Sequence, residues 1–419
     1  MSKKDLPNPL SDDFGKERPA IRILSDRGIK QAVRAGYLNL LPVLDLDNPG
    51  KRLQPVTIDL AFRELQSCFS PGMGNGEFLD TFGENFDGCL RAGKVHWVSF
   101  EERIMFENAV TKMNMPFFSY FLDGKSSLLR LGGLACPPID QIHFLGIDNI
   151  IFNTSPNNII VEPNERIAQS FIRVAPFAET YLVPFDVGDK PKYTLQGESI
   201  RSLDMGVQVK TNKQLEALVD RGFMKVERGV GKRFTPWEGI ILLHAKDAFR
   251  MKKIEGGIKF SERAKYSHED LFESVDIRTK YDIKEGEHLV VEVEEKFDLS
   301  DRVGISVLNN LIGKNIPGGV DLRAFIPLDV YAKGDVSRSL DVAGFNFHLK
   351  NLRCSWIDPG YNGMMTAFPK LLGKSVQRGD IVGYGQVFYF PKGVERPYAS
   401  SPDLGSQFQG QKMFQLAAK

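Results

Sequence analysis

The chain has 419 residues, long for one hydrophobic core and comfortable for two, so two domains are expected. With 42% hydrophobic and 26% charged residues it has ordinary globular proportions, and 54 basic against 53 acidic side chains leave a formal charge of +1, which gives no electrostatic case for a nucleic-acid partner. Its apolar runs fall short of a membrane span and its N-terminus lacks the apolar centre of a signal peptide, so a cytoplasmic protein with no membrane partner is expected.

Residues 1–20 are polar and proline-containing with no apolar period, which predicts a mobile arm. From Ile21 the segment IRILSDRGIKQAVRAGYLNLLPV predicts a short strand, a helix starting at Ser25/Asp26 and closing at Gly36, and a further strand. Most of the remaining chain is short Val-, Ile- and Phe-rich runs broken by Gly, Pro, Asn and Asp, a mainly β pattern with few short helices. Cys68, Cys89, Cys136 and Cys354 are scattered without a CxxC pair and read as small buried hydrophobes. Zinc-dependent cytidine deaminases need an H-x-E segment and a later P-C-x-x-C, and neither occurs.

The chain also matches itself. AGKVHWVSFEERIMF (92–106) lies over EGEHLVVEVEEKFDL (285–299), with Gly93 on Gly286 and Glu101-Glu102 on Glu294-Glu295. VEPNERIAQSFI (161–172) lies over VQRGDIVGYGQVFYF (376–390), with Asn164 opposite Gly379 and Glu165 opposite Asp380. KQAVRAGYLNL (30–40) matches KQLEALVDRGFMKV (213–226) more loosely. These matches imply two tandem copies of one β-rich unit, each far longer than a solenoid repeat. The expected division is a first unit over 21–180, a linker and second unit over 181–396, and a tail over 397–419, with the boundary in the turn-rich stretch 176–210.

Three segments carry candidate chemistry. GKSSLLRLG (124–132) sets Lys125, Ser126, Ser127 and Arg130 where backbone N–H groups, hydroxyls and cations can meet an anion; its plain structural reading is a Ser-capped helix start. WIDPGYNG (356–363) is a chain reversal, and it can aim Asp358 into a cleft with Tyr361 against a flat sugar or base. The C-terminal RPYASSPDLGSQFQGQ interleaves Tyr398, Phe408, Gln409 and Gln411 with small residues, as a lid that orders over a ligand would.

These segments, in this order, resemble the dCTP deaminase and dUTPase superfamily. GKSSLLRLG is similar to the deaminases' G-R-S-S-L-x-R-L-G, WIDPGYNG to their I-D-P-G-W/F-x-G, and RPY…GSQFQGQ to their R-P-Y…Y-x-x-Q tail. ILSDRGIKQAVRAG and LQPVTIDLAF (53–62) resemble the family's opening, and 153–172 its closing strand pair, so the resemblance touches most of 21–412. It implies a tandem pair of dUTPase-like distorted β-barrels or sandwiches, a homo-oligomer, and a pyrimidine deoxynucleoside triphosphate, dCTP or dUTP, as partner. Ser126, Ser127 and Arg130 would hold phosphates. Asp358 and Tyr361 would meet the sugar, Ile357 would join them in binding the substrate, and Tyr398 and Gln411 would close the site. No cofactor is implied for the chemistry, with magnesium only as the triphosphate's counter-ion.

The two copies divide the labour. The first keeps GKSSLLR but has IDQIHFLG (139–146) in place of the Asp turn; the second keeps IDPGYNG but has VLNNLIGKN (307–315) in place of the phosphate loop. The composite site lies either within one chain or between chains. One departure stands out: the carboxylate that serves metal-free dCTP deaminases as general base falls on Ile150, Phe368 or Thr366, none of which takes a proton. Asp358 and Asp140 are the candidate replacements, while Asp148 stands two residues short of the expected place. An apolar residue there is what dUTPases carry, although His143 replaces the Tyr they set under the sugar and reads as a core or surface histidine. Hydrolytic deamination of dCTP leads, with a dUTPase-type pyrophosphohydrolase and a catalytically silent nucleotide binder as alternatives.

Overall fold

In the computed structural model the described residues are 22–69, 88–105, 117–136, 148–175, 203–229, 232–237, 239–284, 287–308, 341–342, 345–346, 353–369, 375–398 and 404. The expected arm, residues 176–202 of the expected boundary, 139–146 and 309–315 lie outside them, as do Asp140, His143 and Gln411.

Among the described residues the helices of five residues or more are α1 (Asp26–Arg34), α2 (Ser126–Arg130) and α3 (Asn212–Asp220). Ser25 starts α1 as the sequence predicts, its hydroxyl accepting from the Gly28 N–H at 3.1 Å. Thr211 does the same for α3 through a full capping box with Gln214. Both helices end alike: Gly36 and Gly222 take φ of +70° and +71°, a left-handed conformation that favours glycine. Tyr37 N–H then returns to Ala32 O and Phe223 N–H to Leu218 O, each at 2.9 Å.

The rest is mainly β. In the N-terminal half the principal strands are β1 (Arg22–Leu24), β2 (Ile58–Phe69), β3 (Val95–Phe100), β4 (Phe117–Gly124), β5 (Gly133–Cys136), β6 (Asp148–Asn153) and β7 (Arg166–Ala175). β7 lies between β2 and β4, and the sheet continues β2–β3–β6–β5, every pair antiparallel. In the C-terminal half they are β8 (Met205–Gln208), β9 (Met224–Arg228), β10 (Ile240–Met251), β11 (Leu289–Leu299), β12 (Val303–Leu308), β13 (Arg353–Ile357), β14 (Asn362–Pro369) and β15 (Ile381–Tyr389). Here β15 lies between β10 and β12, β10 pairs with β11, and β11 also pairs with β9 and β14. β1 pairs with both β7 and β8, and β8 with β15, which stitches the halves into one network. Alternation drives these choices: in β9, Met224 and Val226 are buried while Lys225 and Glu227 face solvent.

The self-matches seen in the sequence recur as hydrogen bonds. Asn164 and Gly379 both have positive φ, +70° and +86°. Asn164 N–H donates to Phe62 O at 2.7 Å, and Gly379 N–H to Ala245 O at 2.8 Å. Glu165 accepts from Glu162 N–H (2.7 Å) as Asp380 accepts from Gln377 N–H (2.8 Å). Glu102 accepts from Ala61 N–H at 2.7 Å, and its counterpart Glu295 from His244 N–H at 2.9 Å.

Two large apolar clusters fill the interior, and α2 sits where they meet: Leu128 packs in one and Leu129 in the other. A third cluster of Ile23, Val56, Phe171, Trp356, Phe388, Phe390 and Val394 crosses between the halves, with Trp356 edge-on to Phe171 at 5.0 Å. Burying such aromatics contributes about 1.5–3 kcal/mol each, which holds β13 against β7. Cys68 is buried, as expected, whereas Cys89 is partly exposed, and neither is in a disulfide. No helix among the described residues is long and apolar enough to cross a membrane.

Candidate active site

A cavity of about 370 Å³ opens where α2 meets the turn after β13, a size typical of small-molecule sites. Lys125, Ser126, Ser127 and Arg130 line it from one side, and Ile357, Asp358, Tyr361 and Tyr398 from the other. Eight of the ten residues singled out in the sequence therefore come together, and they do so within a single chain. Asp140 and Gln411 lie outside the described residues. Asp148 begins β6 and does not line the cavity.

The α2 side is a strand-to-helix junction. β4 ends at Gly124, and Lys125 N–H bonds to Ile167 O at 2.9 Å, fixing the start of α2. The N-cap is Lys125, in extended backbone and without a side-chain cap, so neither serine serves as the capping residue that the plain structural reading assigned to it. Arg130 closes the helix with its side chain buried. Burial draws its guanidinium down to about 10, with the Tyr361 and Tyr398 phenols opposing the shift, so it stays cationic at neutral pH. The Lys125 ammonium pairs with the Asp59 carboxylate of β2.

The opposite side is the Asp-Pro-Gly turn. Pro359 and Gly360 are its central residues, Gly360 at φ +85°, and Tyr361 N–H closes it on Asp358 O at 3.1 Å. Proline followed by a left-handed glycine is the requirement of a type II turn. Asp358 keeps a partly open face in the cavity, while its Oδ1 is sealed and without a hydrogen-bond partner. Burial pushes this carboxyl up to about 7; Asp59 adds to the rise and Lys125 opposes it. Tyr361 is buried beside Tyr398, ring centroids 6.1 Å apart, and burial pushes its phenol upward.

The approach to the tail is strapped down at three points. The Asp26 carboxylate accepts from the N–H groups of Glu395 (2.9 Å) and Arg396 (2.8 Å), and Lys30 pairs with Glu395 at 2.8 Å. Arg396 donates to Leu53 O and Gly50 O at 2.8 and 2.9 Å. Tyr398 N–H bonds to Pro359 O at 2.9 Å, so the tail begins on the Asp turn itself, and Leu404 lines the same cavity.

Several further lining residues are not among the site candidates that the sequence offers. Gln54 and Asp59 sit in the LQPVTIDLAF segment, but one Asp in an apolar strand gives no sign of facing a site. Asp59 is fully buried; Gln54 donates to its Oδ2 at 3.3 Å beside Lys125, and burial raises its carboxyl while Lys125 lowers it. Asn164, Glu165, Arg166 and Gln169 come from the matched turn and β7. Phe260 and Arg263 come from a stretch with no motif, the guanidinium 4.3 Å above the ring. The strand after the turn supplies no substitute carboxylate: Glu292 of β11 is in register with Thr366, but it is buried against Lys246 at 3.4 Å and does not line the cavity.

No family model and no curated protein sequence matches this chain. Among solved structures it is similar to 2'-deoxycytidine 5'-triphosphate deaminase from Agrobacterium tumefaciens, with a TM-score of 0.55 at 14% identity, over 90% of this chain and 99% of that one. At that identity the likeness is one of fold.

Proposed function

We propose that this chain binds a pyrimidine deoxynucleoside triphosphate in the cavity between α2 and the Asp turn, and deaminates dCTP to dUTP and ammonia. One observation carries the reading: a cationic strand-to-helix junction and the partly open carboxyl group of Asp358 line one cavity of one chain. The fold shared with a dCTP deaminase supports the same reading.

In this reading Arg130 and Lys125, with the hydroxyls of Ser126 and Ser127, take the phosphate oxygens through charge-assisted bonds. Ile357 and Tyr361 support the sugar, and Tyr398 and Leu404 cover it. Asp358 takes a proton from the water that adds to C4 and passes it to the departing amino group, which leaves as ammonia, while the second proton of that water ends on ring N3 of the uracil product. A base poised near the working pH is the efficient one for both transfers. Magnesium enters with the nucleotide as its counter-ion, held by phosphates and water. The two-unit division at 21–180 and 181–396, the lid role of 397–419 and oligomeric assembly belong to the same proposal.

A dUTPase-type pyrophosphohydrolase is the second reading, favoured by Thr366 and Phe368 on the strand after the turn, where a deaminase would place its carboxylate. Incubating the purified protein with each deoxynucleoside triphosphate and separating the products decides between them. Ammonia with dUTP supports deamination, pyrophosphate with a monophosphate supports the second reading, and binding without turnover supports a silent binder.

A further inference from the structure

Asp59 and Asp358 approach the cavity from different halves of the chain, Asp59 from β2 and Asp358 from the turn after β13. Each has an Oδ1 that is buried without a hydrogen-bond partner. Lys125 is the cation they have in common: it is bonded to Asp59 and supports the charge on Asp358. Arg166 of β7 adds to the support of Asp59, and Asp26 of α1 adds to the negative field on Asp358. Lys51, Arg130, Glu165, Arg263 and the phenols of Tyr361 and Tyr398 complete the ionisable lining.

Lysine is a compact charge on a flexible stem, so Lys125 can turn from a carboxylate to another anion without moving the backbone. A triphosphate entering against α2 competes for it directly. Once Lys125 has turned, the carboxyl pair has lost its shared cation and gained a polyanion as neighbour. Two like charges in a water-poor site do not both stay ionised under those conditions. We propose that nucleotide binding captures Lys125 and thereby loads a proton onto the Asp59–Asp358 pair. This rests on the nucleotide reading above and gives Asp59 the role of a positioning residue. On this proposal the two carboxyls share the added proton, and binding affinity falls as pH rises.

Calorimetric titration of the full chain with dCTP and with dUTP, in buffers of different ionisation enthalpy, tests this. At about pH 8 and without added divalent metal the nucleotide phosphates are fully ionised, so any proton taken up goes to the protein. The expected result is uptake of roughly a half to one proton per nucleotide by the wild-type chain. Uptake should fall towards zero in Lys125→Gln, which has no cation to surrender, and in Asp59→Asn and Asp358→Asn. Binding enthalpy independent of buffer in the wild type, or undiminished uptake in Lys125→Gln, overturns the proton coupling and leaves the nucleotide reading intact. If neither nucleotide binds, the nucleotide reading falls and the coupling falls with it.

Discussion

The N-terminal and C-terminal halves close on the same turn but put it to different uses. Asn164 with Glu165 and Gly379 with Asp380 share a backbone conformation and a carboxylate bond, yet Asn164 and Glu165 line the cavity and Gly379 and Asp380 do not. The matched carboxylates diverge in the same way. Glu102 is backed by Arg52 at 3.6 Å, whereas Glu295 takes His244 Nδ1 at 2.7 Å with Arg228 at 3.8 Å. The N-terminal half lends the cavity four cations, Lys51, Lys125, Arg130 and Arg166, with the carboxylates Asp59 and Glu165; the C-terminal half lends Asp358, two tyrosines and one cation, Arg263. Matched turns and matched carboxylate bonds in the two halves thus serve different surroundings, while one cavity is lined by both.

If the C-terminal contribution is chemical, it should cost stability. Burial and Asp59 hold Asp358 at about 7 against an ordinary 3.8, so the stability this group contributes is full below pH 3.8 and lost as pH rises through 7. Asp358→Asn should therefore be more stable than wild type at pH 8, by up to about 4 kcal/mol, with the gap closing towards pH 4. Urea unfolding at the two pH values checks this; a mutant less stable than wild type at pH 8 breaks the comparison.

If the N-terminal contribution is anion binding, Arg130→Ala should weaken dCTP or dUTP binding by about 1.5–3 kcal/mol, roughly tenfold to a hundredfold. Equal affinity by calorimetry would remove the phosphate role. The carboxylates that brace the two halves sharpen the contrast further. Each accepts a buried backbone N–H, so Glu102→Ala and Glu295→Ala should each cost about 1–3 kcal/mol. The larger loss should fall on Glu295, which also holds the His244 ring, and denaturant midpoints give the order. The smallest effect on folding is expected from removing 397–419, which should shift Tm by only a few degrees while weakening nucleotide binding several-fold, since a covering segment adds closure and little core. Thermal unfolding beside nucleotide titration separates the two.

Much of this was legible from residue order. The Ser25 start and Gly36 close of α1, the Asp-Pro-Gly reversal, and the pairing of Asn164 with Gly379 all rest on local backbone preferences that a sequence displays. What escaped was long-range. Lys125 and Asp59 meet across 66 positions, and Asp26 accepts from Glu395 and Arg396 across more than 360, with nothing in their neighbours to announce it. Phe260 and Arg263 reach the cavity from an irregular stretch that has no period and no motif. Asp358 was legible as a turn residue, but its raised pKa depends on Asp59 and on burial, both products of the folded packing. The preference of serine for helix starts points to a serine cap on α2, whereas the strand β4 delivers Lys125 to the capping position instead.

The most direct test of the central claim is ammonia release from dCTP by wild type and by Asp358→Asn, measured alongside nucleotide binding by the same two proteins. The mutant keeps the shape of the turn and loses the basicity. Ammonia release by the wild type, reduced at least about a hundredfold in the mutant with binding retained, is the predicted result, in keeping with the weight of a general base. Ammonia release by both proteins at similar rates would contradict the role of Asp358, and no release by the wild type would contradict deamination itself.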